Sequence, residues 1–204
     1  VATGTKLVGT VSGSKGGSGS TKEPPATPKP TPEPSQPATD GKLPALDNFD
    51  RKLTKSWGRS DSGHTWKLTT SASAFYVTGS RAAVALKKAA THRATLTTEQ
   101  SSAVELKTIV ALNRRPSTGT LTVSLVGRQV GSSTYAGALS VTSSGKATVK
   151  VTRDGKQIGK SYQLSGKYKA GQKLHLRVSV SGTKPTEIKI RVWASGKKEP
   201  AKWQ

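Results

Sequence analysis

Apolar and polar residues alternate with a period of two in run after run of this chain from about residue 47 onward. Between Lys173 and Ser181 the apolar set is Leu174, Leu176, Val178 and Val180, interleaved with His175, Arg177 and Ser179. From Glu187 to Trp193 it is Ile188, Ile190 and Val192 against Lys189 and Arg191. Further runs are Val104/Leu106/Val110/Leu112, Leu121/Val123/Leu125, Leu139/Val141 and Val149/Val151. A period of two puts alternate side chains on opposite faces, so these runs predict antiparallel strands with one face to a core and one to water. No segment keeps a 3.6-residue period beyond a turn or two.

Turn signals fall between the runs at short spacing: Gly63, Gly79, Pro116-Ser117-Thr118-Gly119, Gly131-Ser132, Ser144-Gly145, Asp154-Gly155, Gly166, Ala170-Gly171 and Ser181-Gly182. Asp154-Gly155 is the strongest hairpin signal, because both positions of a tight two-residue turn require a positive φ. Ten or eleven short strands over 45–204 predict an all-β, antiparallel two-sheet sandwich of jelly-roll type.

The first 44 residues read differently. Residues 1–12 form a leader with one strand-like run containing Lys6, Leu7, Val8 and Val11, suited to adding to the edge of another protein's sheet. Residues 13–44 form a linker, Gly/Ser-rich over 13–22 and carrying seven prolines over 23–37. The Pro-rich stretch predicts a polyproline II spacer of about 45 Å, at about 3.1 Å per residue. Leader, stalk and head is the expected organisation, with the head folding without the leader.

Charge changes this picture. The 204 residues carry 33 Lys+Arg against 11 Asp+Glu, a formal net charge of +22. Residues 1–50 are neutral, with five of each sign, so the whole excess lies in 51–204. That is the reverse of a disordered basic arm, and it assigns the cations to a folded surface. The chain has no cysteine, which excludes disulfides, thiolate metal sites and thiol nucleophiles. No run of about 18 apolar residues predicts a membrane-spanning helix.

Asp47-Asn48-Phe49-Asp50-Arg51, followed by Trp57-Gly58 and Gly63-His64-Thr65-Trp66, resembles the first strands of concanavalin A-like (laminin-G-like) jelly-roll modules. These modules are common in actinobacterial secreted proteins and in the virion proteins of their phages. Val126 to Val130 and Tyr135, then Leu139 and Val141, resemble the central hairpin of those modules. Val192-Trp193, Gly196 and Glu199 to Gln204 resemble their C-terminal strand with its closing Trp. The resemblance covers 45–204 and implies a lectin-like sandwich.

Catalysis is not expected. Glycosidases of this fold need two carboxylates flanking the scissile bond, and no strand here carries an alternating carboxylate pair. His64, His92 and His175 lie on separate segments without a neighbouring acid, which argues against a triad or a zinc site. No cofactor is expected. Asp47, Asn48, Asp50 and Asp61 are oxygen donors of the kind calcium takes, but capping and hairpin roles are favoured for them.

Candidate ligand-binding residues are the outward cations and one aromatic: Lys107, Arg128, Tyr135, Lys173, Arg177, Lys189 and Arg191. Lys150 is a further outward cation. Cations two apart on a strand lie on one face, so Lys189 and Arg191 predict a positive stripe. Trp57, Trp66, Phe75 and Trp193 are assigned to packing, while Tyr76, Tyr135, Tyr162 and Tyr168 are candidates for stacking on sugars.

The expected function is a non-enzymatic structural and adhesion protein of a bacteriophage particle, a minor tail protein or capsid appendage. Its leader docks on other virion proteins, and its head holds host cell-surface polysaccharide or an anionic cell-wall polymer. Removal of an initiator Met before Val1 fits that reading. A carbohydrate-binding module of a secreted actinobacterial protein, with Val1 made by signal cleavage, is the alternative. A general polyanion or nucleic-acid binder is the second alternative.

Overall fold

A computed structural model describes residues 2–8, 45–69, 71–86, 90–96 and 101–204. Fourteen strands are present in these residues. They are β1 (Ala2–Val8), β2 (Leu46–Asp47), β3 (Lys52–Thr54), β4 (Trp66–Thr69), β5 (Phe75–Thr78), β6 (Ala82–Val84) and β7 (Arg93–Leu96). The second half adds β8 (Val104–Leu112), β9 (Thr120–Val130), β10 (Ser133–Thr142), β11 (Lys146–Arg153), β12 (Lys156–Lys167), β13 (Leu174–Ser181) and β14 (Glu187–Ala194). Every pairing is antiparallel. Among the described residues no helix is long and apolar enough to cross a membrane.

The alternating runs become strands as expected. β13 buries Leu174, Leu176, Val178 and Val180 and turns His175, Arg177, Ser179 and Ser181 outward. β11 and β12 join through Asp154-Gly155, with φ of 53° and 74°, and Arg153 pairs with Lys156 across the turn. The very short strands β2 and β3 exceed what a two-residue period reveals.

Two sheets supply the main core. One is ordered β12-β11-β10-β9, the other β14-β13-β8-β1-β6-β5-β3, with β2 beside β1. Leu139, Val141 and Val149 of the first sheet pack against Leu176, Val178, Ile190 and Val192 of the second. The sheets are in close contact at Gly137, where a Cβ would lie 2.4 Å from Val178 Cγ2 and 2.9 Å from Ile190 Cδ1.

A second cluster, Phe49, Trp66, Val77 and Ala82 with Trp57 and Leu53 against it, lies near the small β4-β7 sheet. Asp47 organises it from a fully buried position. Its carboxylate accepts hydrogen bonds from Arg51 Nη1 and Nη2 at 2.8 and 2.7 Å, Trp66 Nε1 at 2.7 Å and the Phe49 amide at 2.9 Å. The Arg51 guanidinium is held more firmly protonated by its hydrogen bond to Asp47, despite burial. Asp61 accepts from the Asn48 amide at 2.7 Å. Asp47 and Asp61 thus serve the loop as caps, the hairpin role favoured above.

The leader is placed differently from the sequence expectation. Lys6, Leu7 and Val8 belong to β1, which pairs with β8 on one side and with β6 and β2 on the other. An isolated strand-like run has the same pattern whether it completes its own sheet or a partner's, and here it completes its own. Val11 and the linker 13–44 lie outside the described residues, Ala45 being the first described after them.

Candidate functional site

The cationic stripe forms on the outer face of β8, β13 and β14, because Arg177 pairs with both Lys107 and Arg191. It is not open. The segment after β14 crosses it, and Glu199 reaches Arg177 Nη1 at 2.7 Å, Arg191 Nη1 at 3.0 Å and Lys107 Nζ at 3.5 Å. Glu105 takes the other arm of Arg177 at 2.7 Å. Trp203 covers the guanidinium groups, its ring centroid 4.1 Å from Arg191 and 5.8 Å from Arg177. Gln204 fixes the strap with its side-chain amide on both backbone groups of Val192. Burial raises the Glu199 pKa, but Arg177, Arg191 and Lys107 outweigh it and hold the carboxyl below its ordinary range.

Other expected residues are likewise occupied. Lys189 pairs with Glu187 at 2.7 Å. Arg128 ties two loops together, reaching the Gly182 carbonyl and Thr186 Oγ1 between β13 and β14 and the Ser102 carbonyl before β8. Tyr135 packs on the core with the Arg153 guanidinium 5.7 Å from its ring centroid. Tyr168 is buried, which removes it from sugar stacking, while Tyr162 remains exposed. His175 stacks on Trp193 at 5.0 Å, and burial followed by the Lys107 charge lowers its pKa, so it is neutral at pH 7.

Lys173 leads to a different site. The loop between β8 and β9, the turn between β10 and β11, the loop between β12 and β13 and the segment after β14 meet at one end of the molecule. Backbone bonds join them: Gly171 N to Leu112 O at 2.8 Å, Ser143 N to Gly119 O at 3.1 Å, Tyr168 N to Gly145 O at 2.8 Å and Ser195 N to Lys173 O at 3.0 Å. This end carries Arg114, Arg115, Lys146, Lys167, Lys169, Lys173, Lys197 and Lys198, all exposed. Residues 113–119, 143–146, 167–173 and 195–198 contain no acid. Among the described residues none of these eight cations pairs with a carboxylate.

An open hollow of about 640 Å³ lies within this end, lined by Lys167, Lys169, Lys173, Ala170, Gly171, Gln172, Ala194 and Ser195. Its floor is fixed rather than loose. The Tyr168 hydroxyl accepts from the Leu112 amide and donates to the Gln172 carbonyl, both at 2.7 Å. Gln172 Oε1 accepts from the Lys169 amide at 3.0 Å. Burial raises the Tyr168 pKa, keeping it protonated and able to donate. Three ammonium groups around an open hollow favour a flexible anion bearing several charges, since lysine acts as a point charge without directional demand.

Sequence reasoning reached only Lys173 of this set. The other seven sit in turns separated by 20 or more residues, and only the antiparallel topology brings them to one end. The signal available was that four turn segments are basic and acid-free. No family profile matches the chain, and neither the curated proteins nor the solved structures hold a match to it.

Proposed function

We propose that this chain is a non-enzymatic adhesion module whose basic end holds an anionic surface polymer, such as a phosphate-bearing cell-wall chain. The carrying observation is the set of eight exposed cations with no acid among the segments that bear them. A polyanion laid across this end gains at each cation and meets no repelling carboxylate in those loops. The resemblance to concanavalin A-like jelly-roll modules supplies the setting: a phage particle or, alternatively, a secreted cell-surface protein displaying a lectin-like head. Burial of Tyr168, the tyrosine at this end, supports a charged polymer over a neutral glycan as the ligand of this end.

The test is binding of poly(glycerol phosphate) and of neutral dextran to the full chain at low salt. Phosphate polymer is expected to bind and dextran not. The triple variant Lys167→Gln, Lys169→Gln, Lys173→Gln is expected to weaken binding and flatten its salt dependence, as fewer counterions are released. Unchanged affinity and slope in that variant overturn the assignment. Duplex DNA binding more tightly than the phosphate polymer at matched salt favours the nucleic-acid reading instead.

A further inference from the structure

β1 holds the larger sheet together in an unusual way. Six of its residues pair with β8 and three with β6, from Ala2↔Leu112 to Val8↔Lys107 and from Ala2↔Val84 to Gly4↔Ala82. Among the described residues no ladder joins β8 directly to β6. Removing β1 therefore splits the sheet into β14-β13-β8 and β6-β5-β3 and opens two facing edges, each with unpaired amides and carbonyls. The slot demands a strand.

What joins that strand to the head is far longer than the fold needs. Val8 pairs with Leu46, so their Cα atoms sit about 4.5–5.5 Å apart. A hairpin connection needs about two to five residues, whereas 37 residues (9–45) intervene here. With seven prolines over 23–37 and a Gly/Ser-rich run over 13–22, they have the composition of a spacer and not of a tight turn. A tether of this kind lets β1 reach the slot of a neighbour as readily as its own.

We propose that β1 is an exchangeable strand, and that the β8/β6 slot of one copy accepts β1 of a second copy to give a strand-swapped dimer. Each slot in the dimer holds the same backbone ladder as in the single chain, so the choice between the two forms is set by concentration. Tethering through 37 residues gives the strand an effective concentration of about 1 mM in its own slot. Exchange then becomes substantial when copies are crowded to that level, as on the surface of an assembly. The closed dimer is two-fold symmetric and carries two heads.

The absence of cysteine makes the test direct. Thr3 pairs with Ala111 across β1 and β8, within disulfide reach. The chain carrying both Thr3→Cys and Ala111→Cys, oxidised when dilute, is expected to form the 3–111 bridge within one chain. Two separate single variants, Thr3→Cys and Ala111→Cys, mixed and concentrated toward about 1 mM before oxidation, are expected to give a covalent dimer. Peptide mapping should place its bridge between positions 3 and 111, in a yield that rises with concentration. Mixed dimers without that bridge, while the double variant forms it, overturn exchange. A double variant that forms no bridge removes β1 from the slot and overturns the proposal at its base.

Discussion

Glu199 Oε1 lies 2.7 Å from Arg177 Nη1, across 22 residues of chain, and the same oxygen is 3.0 Å from Arg191 Nη1. One carboxylate thus neutralises much of the stripe that strand alternation builds, and Trp203 covers what remains. Replacing Glu199 by Gln keeps the shape and removes the charge. Hydrogen bonds to charged groups contribute about 1.5–3 kcal/mol when buried, and partial solvent screening reduces this to about 1–2. The expected fall in melting temperature is about 2–8 °C. Glu199→Gln should also elute later from a cation exchanger than the loss of one charge alone predicts, because the strap loosens over three cations. Unchanged stability in this variant means the pairs contribute nothing.

Tyr168→Phe separates the geometry of the basic end from its charge. The substitution leaves the Leu112 amide without its acceptor and the Gln172 carbonyl without its donor in a buried place, a cost of about 1–3 kcal/mol. The loop bearing Lys167, Lys169 and Lys173 loses its anchor while every cation stays. Calorimetry should find weaker binding of a phosphate polymer with an unchanged salt slope. A loss of stability with unchanged affinity means the lysines act without being held in place.

Much of the framework was legible because its physics is local. Period-two alternation located β8, β13 and β14, and Asp154-Gly155 located the β11-β12 turn. The site was not legible, for two reasons. Lys107, Arg177 and Arg191 are legible one by one as outward cations of separate strands, but the register that sets Arg177 beside the other two is not, nor is their cover, Glu199 and Trp203, which arrives from a segment without any period. The basic end is a property of topology: Arg114, Lys146, Lys169 and Lys197 have no common motif and become neighbours only when four connections close at one end. β1 shows the same limit, since a strand-like run does not declare which sheet it joins.

Gly137 lies where the two sheets are in close contact. Its φ is not in the left-handed region, so the requirement there is space and not backbone conformation. A methyl group would meet Val178 Cγ2 at 2.4 Å and Ile190 Cδ1 at 2.9 Å, both of residues locked in the core. Gly137→Ala should therefore destabilise the fold by about 1–3 kcal/mol through overpacking, read by denaturant unfolding. Relief by a second change, Val178→Ala, would confirm the contact responsible, while full stability of the single variant would mean the sheets move apart freely.

Acid should release the strap before it unfolds the head. Arg177, Arg191 and Lys107 hold the Glu199 pKa below its ordinary range despite the opposing effect of burial. A carboxyl depressed in the folded state contributes stability that is complete above its unfolded pKa, about 4.3, and is lost as pH falls through the folded value. Protonated Glu199 has nearly the shape and charge of Gln, so the melting-temperature gap between wild type and Glu199→Gln is the reporter. As pH falls from neutral the gap should first hold or widen while His175 gains its proton beside Glu199, then narrow below about 4.3 and close once the carboxyl is fully protonated. Glu105 shares Arg177 with Glu199, at 2.7 Å. Repeating the series in a Glu105→Gln background removes that coupling. His175, which faces the same cluster, is already driven toward neutrality by burial and Lys107, so its protonation in acid adds a cation near Glu199 and moves the closing of the gap to lower pH. A gap that stays fixed through the whole acid range means that Glu199 acts through packing alone and that its charge does not hold the strap.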